Sequence, residues 1–115
     1  MDRNFNVVFY GKSENRPALE FIRGLDHETR KKVYSYINLL ENYGNLLRPP
    51  YSKKISGVKG LFELRVESSS NEYRFFYCFI PGKIIVILHA IQKKRNKTPQ
   101  EEIKTAEKRM KELVK

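Results

Sequence analysis

The sequence predicts an α+β domain, an antiparallel β-sheet with an N-terminal helical hairpin and a C-terminal helix. Strand-like runs between residues 61 and 92 are separated by two turn signals. Apolar stripes at helical spacing lie on both sides of them, at residues 33–40 and 103–113. The resulting order, one strand, two helices, three strands and one helix, is that of helices packed against an antiparallel sheet.

Each element has its own local cause. Phe5-Asn6-Val7-Val8-Phe9-Tyr10 is β-branched and aromatic and stops at Gly11, the pattern of a strand. Pro17 suits the first turn of a short helix that runs to about Arg23 and stops at Gly24. Asp26 caps a longer helix in which Val33, Tyr36, Ile37 and Leu40 form one buried stripe, Arg30, Lys31 and Lys32 stay solvated, and Gly44 ends the run. Residues 45–59, with Pro49-Pro50, Gly57 and Lys53-Lys54, read as an ordered loop or a short strand between turns. Leu61 to Glu67 alternates, with Phe62, Leu64 and Val66 facing the core and Glu63, Arg65 and Glu67 facing away, so this strand is expected to be buried on one side only. Ser68-Ser69-Ser70-Asn71 is a turn, Tyr73 to Ile80 an aromatic strand, Pro81-Gly82 a second turn and Lys83 to Gln92 a third strand of an antiparallel meander. The last two strands are apolar on both faces, which places them in the middle of the sheet with cover on each side. Thr98-Pro99-Gln100-Glu101 supplies an N-cap, a proline at the first helical position and a capping-box glutamate, and Ile103, Ala106, Met110 and Leu113 follow as a helical stripe.

The 115 residues, 40% of them hydrophobic, suit a single soluble domain over 1–115, and 14 Phe and Tyr supply a core that needs no cofactor. No stretch reaches the roughly 20 apolar residues of a membrane-spanning helix, and the N-terminus lacks a secretory pattern, so the expected location is the cytoplasm. The net charge of +10 is uneven. Residues 53–97 carry 10 basic and 3 acidic groups, and so 7 of the 10 net charges. Charge concentrated in this way fits a polyanion-binding face.

Several chemistries are excluded by what is missing. His27 and His89 are the only histidines, and there is no CxxC and no three-carboxylate cluster, so no metal site is expected. No nucleophile elbow or glycine-rich phosphate loop is present. Cys78, alone in an aromatic run, reads as a small buried hydrophobe, Tyr77 as core, and His89 as a buried histidine with its hydrogen bonds satisfied. Glu63 reads as an ion-pair partner of Arg65 or of a cross-strand cation. There remain Lys53, Lys54, Arg65, Arg74, Lys93, Lys94, Arg95 and Lys97, which the strand reading gathers at one end and one face of the sheet. They make either a phosphate site, where guanidinium forks hold phosphate oxygens, or a solvated basic rim.

Three ordered segments add a resemblance: GLFELR from Gly60 to Arg65, YRFFY from Tyr73 to Tyr77, and LHAIQKKRNKTPQEEI from Leu88 to Ile103. Together they resemble the HigB-like, phage-derived host-inhibition branch of the RelE/ParE superfamily, the toxins of type II toxin-antitoxin pairs. The resemblance implies a RelE-like, microbial-ribonuclease-like fold and a metal-independent, ribosome-dependent mRNA interferase, in which a 2′-hydroxyl attacks the neighbouring phosphate. It implies catalytic roles for Arg65, Arg74 and Lys93 or Lys94: Arg74 at the phosphorane, Arg65 on the scissile phosphate, a lysine at the leaving oxygen. It implies backbone contacts to RNA by Lys53, Lys54, Lys59, Arg95 and Lys97. The implied partners are the ribosome, mRNA and a cognate antitoxin, HigA-like with a helix-turn-helix; no membrane is implied. The chain departs from some relatives in having no Tyr after Tyr77 and no His after His89, so no side chain is assigned as the general acid. The alternatives are a ParE-like gyrase inhibitor without hydrolytic activity and an inactive nucleic-acid-binding module.

Overall fold

The computed structural model describes residues 4–93 and 99–113. Its elements are β1 (Asn6–Phe9), α1 (Pro17–Arg23), α2 (His27–Tyr43), a 3-10 turn (Gly44–Leu46), β2 (Ser52–Lys54), β3 (Phe62–Ser68), β4 (Asn71–Ile80), β5 (Ile84–Lys93) and α3 (Gln100–Leu113). The expected order holds, and the 45–59 segment contains the short strand β2.

The local signals act as the sequence suggests. The Asp26 carboxylate accepts from the Thr29 N–H at the start of α2, and the Thr29 side chain together with that N–H draws its pKa below the ordinary value; the Gly44 N–H closes the other end on the Leu40 carbonyl. Ser69 and Ser70 turn the β3–β4 hairpin with φ of 50° and 67°, a pair of left-handed residues that fits a two-residue hairpin loop. The Thr98 cap lies outside the described residues.

The strand order is β1-β5-β4-β3-β2, with β4 and β5 interior as their two-sided apolar character requires. One expectation is corrected: the sheet is not wholly antiparallel, because β1 runs parallel to β5, with Val7 opposite Ile85 and Phe9 opposite Ile87. The long path through both helices and the meander gives the chain room to bring two parallel strands together, which a short hairpin cannot do.

Each face of the sheet has its own core. One face sets Leu64, Val66, Tyr73, Phe75, Tyr77, Ile85 and Ile87 against Ala18, Ile22, Val33, Ile37 and Leu40 of the helical hairpin. Tyr77 is core, as expected, and its hydroxyl pairs at 2.5 Å with that of the buried Ser52, tying the edge strand β2 to the interior. The other face sets Leu61, Phe76, Cys78, Val86 and Leu88 against Ala106, with Ile103 and Met110 beside it on α3. Cys78 is a buried hydrophobe whose thiol burial pushes up to about 11.

Register carries one irregularity with consequences for the site. Phe76 lies opposite His89, yet its neighbour Tyr77 lies opposite Ile87, so Leu88 is an extra residue in β5. Beyond this bulge the alternation is reversed. His89, Ile91 and Lys93 therefore share a face with Phe76, Arg74 and Glu72, their cross-strand partners. Helix α3 answers the bulge: Arg109 Nη1 donates to the Leu88 carbonyl at 2.8 Å and approaches His89 Nδ1 at 3.3 Å, and His89 Nε2 lies 2.5 Å from Glu102 Oε1. His89 thus has both ring nitrogens engaged, as expected of a satisfied histidine.

Replacing Arg109 by Ala leaves the Leu88 carbonyl without its donor. The expected cost is about 1–3 kcal/mol in chemical denaturation. The amide resonances of Leu88 to Lys93 are expected to shift with it; a spectrum unchanged along β5 would separate Arg109 from the bulge.

Candidate functional site

Arg65 and Arg74 are directly opposite one another on β3 and β4. Like charges in that position repel, so a compensating group is required. Glu63 provides it. Two residues before Arg65, and so on the same face of the strand, its carboxylate places Oε1 3.2 Å from Arg65 Nε and Oε2 3.7 Å from Arg74 Nε. Glu63 and Arg74 are 4% and 2% exposed, as buried as core residues. The expectation that β3 is buried on one side only fails here. The reason is the register: Glu63 faces Phe76 on β4 and Lys53 on β2, while β3 itself is the fourth strand of five rather than an edge.

These ion pairs are close without being hydrogen-bonded. Glu63 Oε2, Arg65 Nε and Arg74 Nε are buried with no hydrogen-bond partner among the described residues. Such orphaned groups are rare in folded proteins and mark places that water or ligand completes. Arg74 Nη2 also lies 3.4 Å from Glu72 Oε2. The Arg65 side chain remains 31% exposed, with its Nε on Glu63, and it lines a cleft.

That cleft has a volume of about 440 Å³ and is lined by Arg65, Glu67, Glu72, Arg74 and Lys93 of the sheet and by Lys32, Tyr36, Pro50 and Tyr51. Lys93 reaches it because the Leu88 bulge turns it to this face, opposite Glu72. Partial burial pushes the Lys93 pKa down, and the nearby Arg74 guanidinium pushes it the same way. Two arginines, a lysine with a depressed pKa and two carboxylates therefore meet in one depression. Fixed positive charge of this kind binds phosphate oxygens, and the ammonium is a stronger acid than an ordinary lysine.

Of the residues singled out from sequence, Arg65, Arg74 and Lys93 come together. Lys53, opposite Glu63, shares their face of the sheet. Lys54 does not: opposite Phe62, it belongs to the other face, and with Lys59 it lines a separate recess formed by the loop between β2 and β3. Adjacent strand residues alternate between the two sides, yet both lysines also border a recess with Ser52, Phe62 and Tyr77, and neither lines the cleft of Arg65 and Arg74. Lys94, Arg95 and Lys97 lie outside the described residues. Sequence reading missed Lys32 and Tyr36, one turn apart on α2, together with Tyr51, Glu67 and Glu72. Their shared signal, polar or aromatic residues at the margin of apolar stripes, is present in the sequence but has no direction without the packing. No group of three or more His, Cys, Asp or Glu among the described residues is placed to hold a metal ion, and no described helix is long and apolar enough to cross a membrane.

Two measurements probe this arrangement. Glu63→Gln strips the charge from between two arginines and is expected to destabilise the fold by about 3–5 kcal/mol, as breaking a buried pair does. The exposed Glu107–Lys111 pair is the control, where Glu107→Gln is expected to cost less than about 1 kcal/mol. For Lys93 the sign follows from its lowered pKa. Between that value and the ordinary 10.5, the unfolded chain holds more protons than the folded one, so stability rises with pH. The Tm of the wild type is expected to gain on that of Lys93→Met as pH rises from neutrality toward 10.5. A constant difference would mean that Lys93 titrates normally.

A search of curated proteins finds no match to the chain. The profile of the family described as phage-derived protein Gp49-like (DUF891) matches residues 20–111. The matched span runs from within α1 to near the end of α3 and includes every residue of the cleft. The chain belongs to the Gp49-like family of phage-derived proteins.

Proposed function

We propose that this protein is the toxin of a toxin-antitoxin pair, of the RelE/ParE superfamily and its HigB-like branch, and that it cleaves mRNA on the ribosome without a metal. The observation that carries the reading is the convergence of Arg65, Arg74 and Lys93 on one cleft around the buried Glu63. Membership of a phage-derived family and the three sequence segments that resemble HigB-like toxins support it.

The chemistry follows from placing a phosphodiester in the cleft. The 2′-oxygen attacks the adjacent phosphorus in line as its proton passes to a carboxylate, for which Glu72 is the group beside Arg74. Arg65 holds the non-bridging oxygens, and Arg74 meets the charge that builds on the phosphorane, where preorganised donors act most strongly. The bond from phosphorus to the 5′-oxygen then breaks, and the Lys93 ammonium gives that oxygen its proton. The products are a 2′,3′-cyclic phosphate and a 5′-hydroxyl. Lys93 thereby fills the acid role for which the sequence offers no late Tyr or His. Lys53, Lys54, Lys59, Lys94, Arg95 and Lys97 contact RNA through its backbone, which orients without reading sequence. The antitoxin, a helix-turn-helix protein, silences the toxin by covering or distorting the cleft.

Primer extension on a reporter message in a translating extract tests the reading, with ribosome-free RNA as control. Because Arg74 is buried against Glu63, truncating it endangers the fold; Arg65→Ala and Arg74→Lys are the informative variants. Cuts within codons are expected only with ribosomes, and Arg65→Ala is expected to slow cleavage by about 10²–10³. Uncut message together with persistent growth inhibition and blocked DNA supercoiling would replace the interferase with a gyrase inhibitor.

A further inference from the structure

The cleft has two unlike walls. The sheet contributes Arg65, Arg74 and Lys93, while α2 and the residue before β2 contribute Lys32, Tyr36 and Tyr51. Tyr51 is 38% exposed, a large aromatic surface left open at a concave site. Its ring meets Tyr36 edge to face, with centroids 5.4 Å apart and planes at 70°, and Lys32 Nζ lies 6.0 Å from the Tyr36 centroid. The ring is thus held in place before any ligand arrives, so little rotamer freedom is lost on binding. Its backbone is fixed too, because the Tyr51 carbonyl accepts from the Arg65 N–H at 2.8 Å. An aromatic face and a guanidinium therefore come from two residues joined by one cross-strand hydrogen bond.

In the lining of the cleft Glu67 and Glu72 lie directly opposite one another. Paired carboxylates weaken a strand pair and work against phosphate binding, so their presence beside the arginines needs a use. Glu72 has Arg74 as a partner; Glu67 is exposed and has none among the described residues. A carboxylate unpaired among the described residues, in a cleft that also holds an aromatic ring and an arginine, is the acceptor that a base with an exocyclic amino group requires.

We propose that the cleft is a subsite for one nucleotide of single-stranded RNA: an unstacked base lies on Tyr51 and offers its amino group to Glu67, while the adjoining phosphate lies on Arg65. This rests on the RNA-cleaving reading and adds to it the base that the site accepts. A volume of about 440 Å³ accommodates a single small ligand. Stacking on an aromatic side chain requires a base released from its neighbours, which single strands supply and duplexes do not. Cytosine carries a 4-amino donor where uracil carries a carbonyl oxygen, so the site distinguishes two bases of nearly equal size and stacking surface.

Binding of short 2′-O-methyl oligoribonucleotides to the full chain at low salt tests the proposal, since the methyl group blocks attack and leaves binding alone to be read. Fluorescence anisotropy compares oligonucleotides with cytosine, uracil or no base at one central position, and 2-aminopurine at that position reports stacking by quenching. The cytosine oligonucleotide is expected to bind best, and removal of the base to weaken it about tenfold to a hundredfold. Tyr51→Ala is expected to reproduce that loss and abolish the quenching, while Tyr51→Phe keeps both. Glu67→Gln is expected to narrow the gap between cytosine and uracil. Equal binding of abasic and base-bearing oligonucleotides, with Arg65→Ala still defective, would overturn the subsite and leave the RNA reading standing. Equal binding of cytosine and uracil would remove Glu67 from it. Binding indifferent to Arg65→Ala would overturn the RNA reading itself, and the subsite with it.

Discussion

A carboxylate held between two guanidiniums organises the charged face of this protein. Arg65 and Arg74 face each other across adjacent strands, a placement that is unfavourable unless something absorbs the repulsion. Glu63 does so from within the sheet, and its burial makes the arrangement rigid: a carboxylate at 4% exposure does not exchange partners as a surface glutamate does. The ion pairs contribute little net stability once desolvation is counted. Their effect is positional. Each arginine turns its Nε toward Glu63, which fixes the plane of the guanidinium.

The second constraint is the bulge at Leu88. Without the extra residue, alternation along β5 would send Lys93 to the face packed against α1 and α2. With it, Lys93 turns toward Arg74. The bulge is held by a helix far away in sequence, through the bond from Arg109 to the Leu88 carbonyl. The second core face, α3 and the cleft are thus mechanically connected. Ala106 and Met110 seat the helix, Arg109 holds the bulge, and the bulge aims the lysine.

The cleft also shows how a basic protein makes a local site rather than a general polyanion surface. Its lining mixes two arginines and a lysine with Glu67 and Glu72 and adds the rings of Tyr36 and Tyr51. Long-range attraction needs only net charge, and the net +10 supplies that. Local discrimination needs acceptors and ring faces at set positions, which the cleft adds.

Much of this was legible in the sequence. The caps at Asp26 and Gly44, the two hairpin turns, the central positions of β4 and β5, the burial of Tyr77 and Cys78, and the pairing of Glu63 with arginine all follow from residue type and spacing. These are local effects, set by backbone preference and by alternation within one strand. The parallel pairing of β1 with β5 was not legible, because nothing in Asn6–Phe9 states which edge it joins. Nor was the alternation of Lys53 and Lys54 about the sheet, which needs the register of β2 on β3, or the presence of Lys32, Tyr36 and Tyr51 in the lining of the cleft, which needs the packing of α2 against β3. The bulge is the clearest case. In a strand apolar on both faces, a period of two leaves no trace of an added residue, so the face to which Lys93 belongs is decided only when β5 pairs with β4 and Arg109 closes on Leu88. Residue type and spacing settle which elements form and which side chains carry charge; which of those charges share a face is settled only on folding, because register and packing are properties of pairs of segments and not of any one of them.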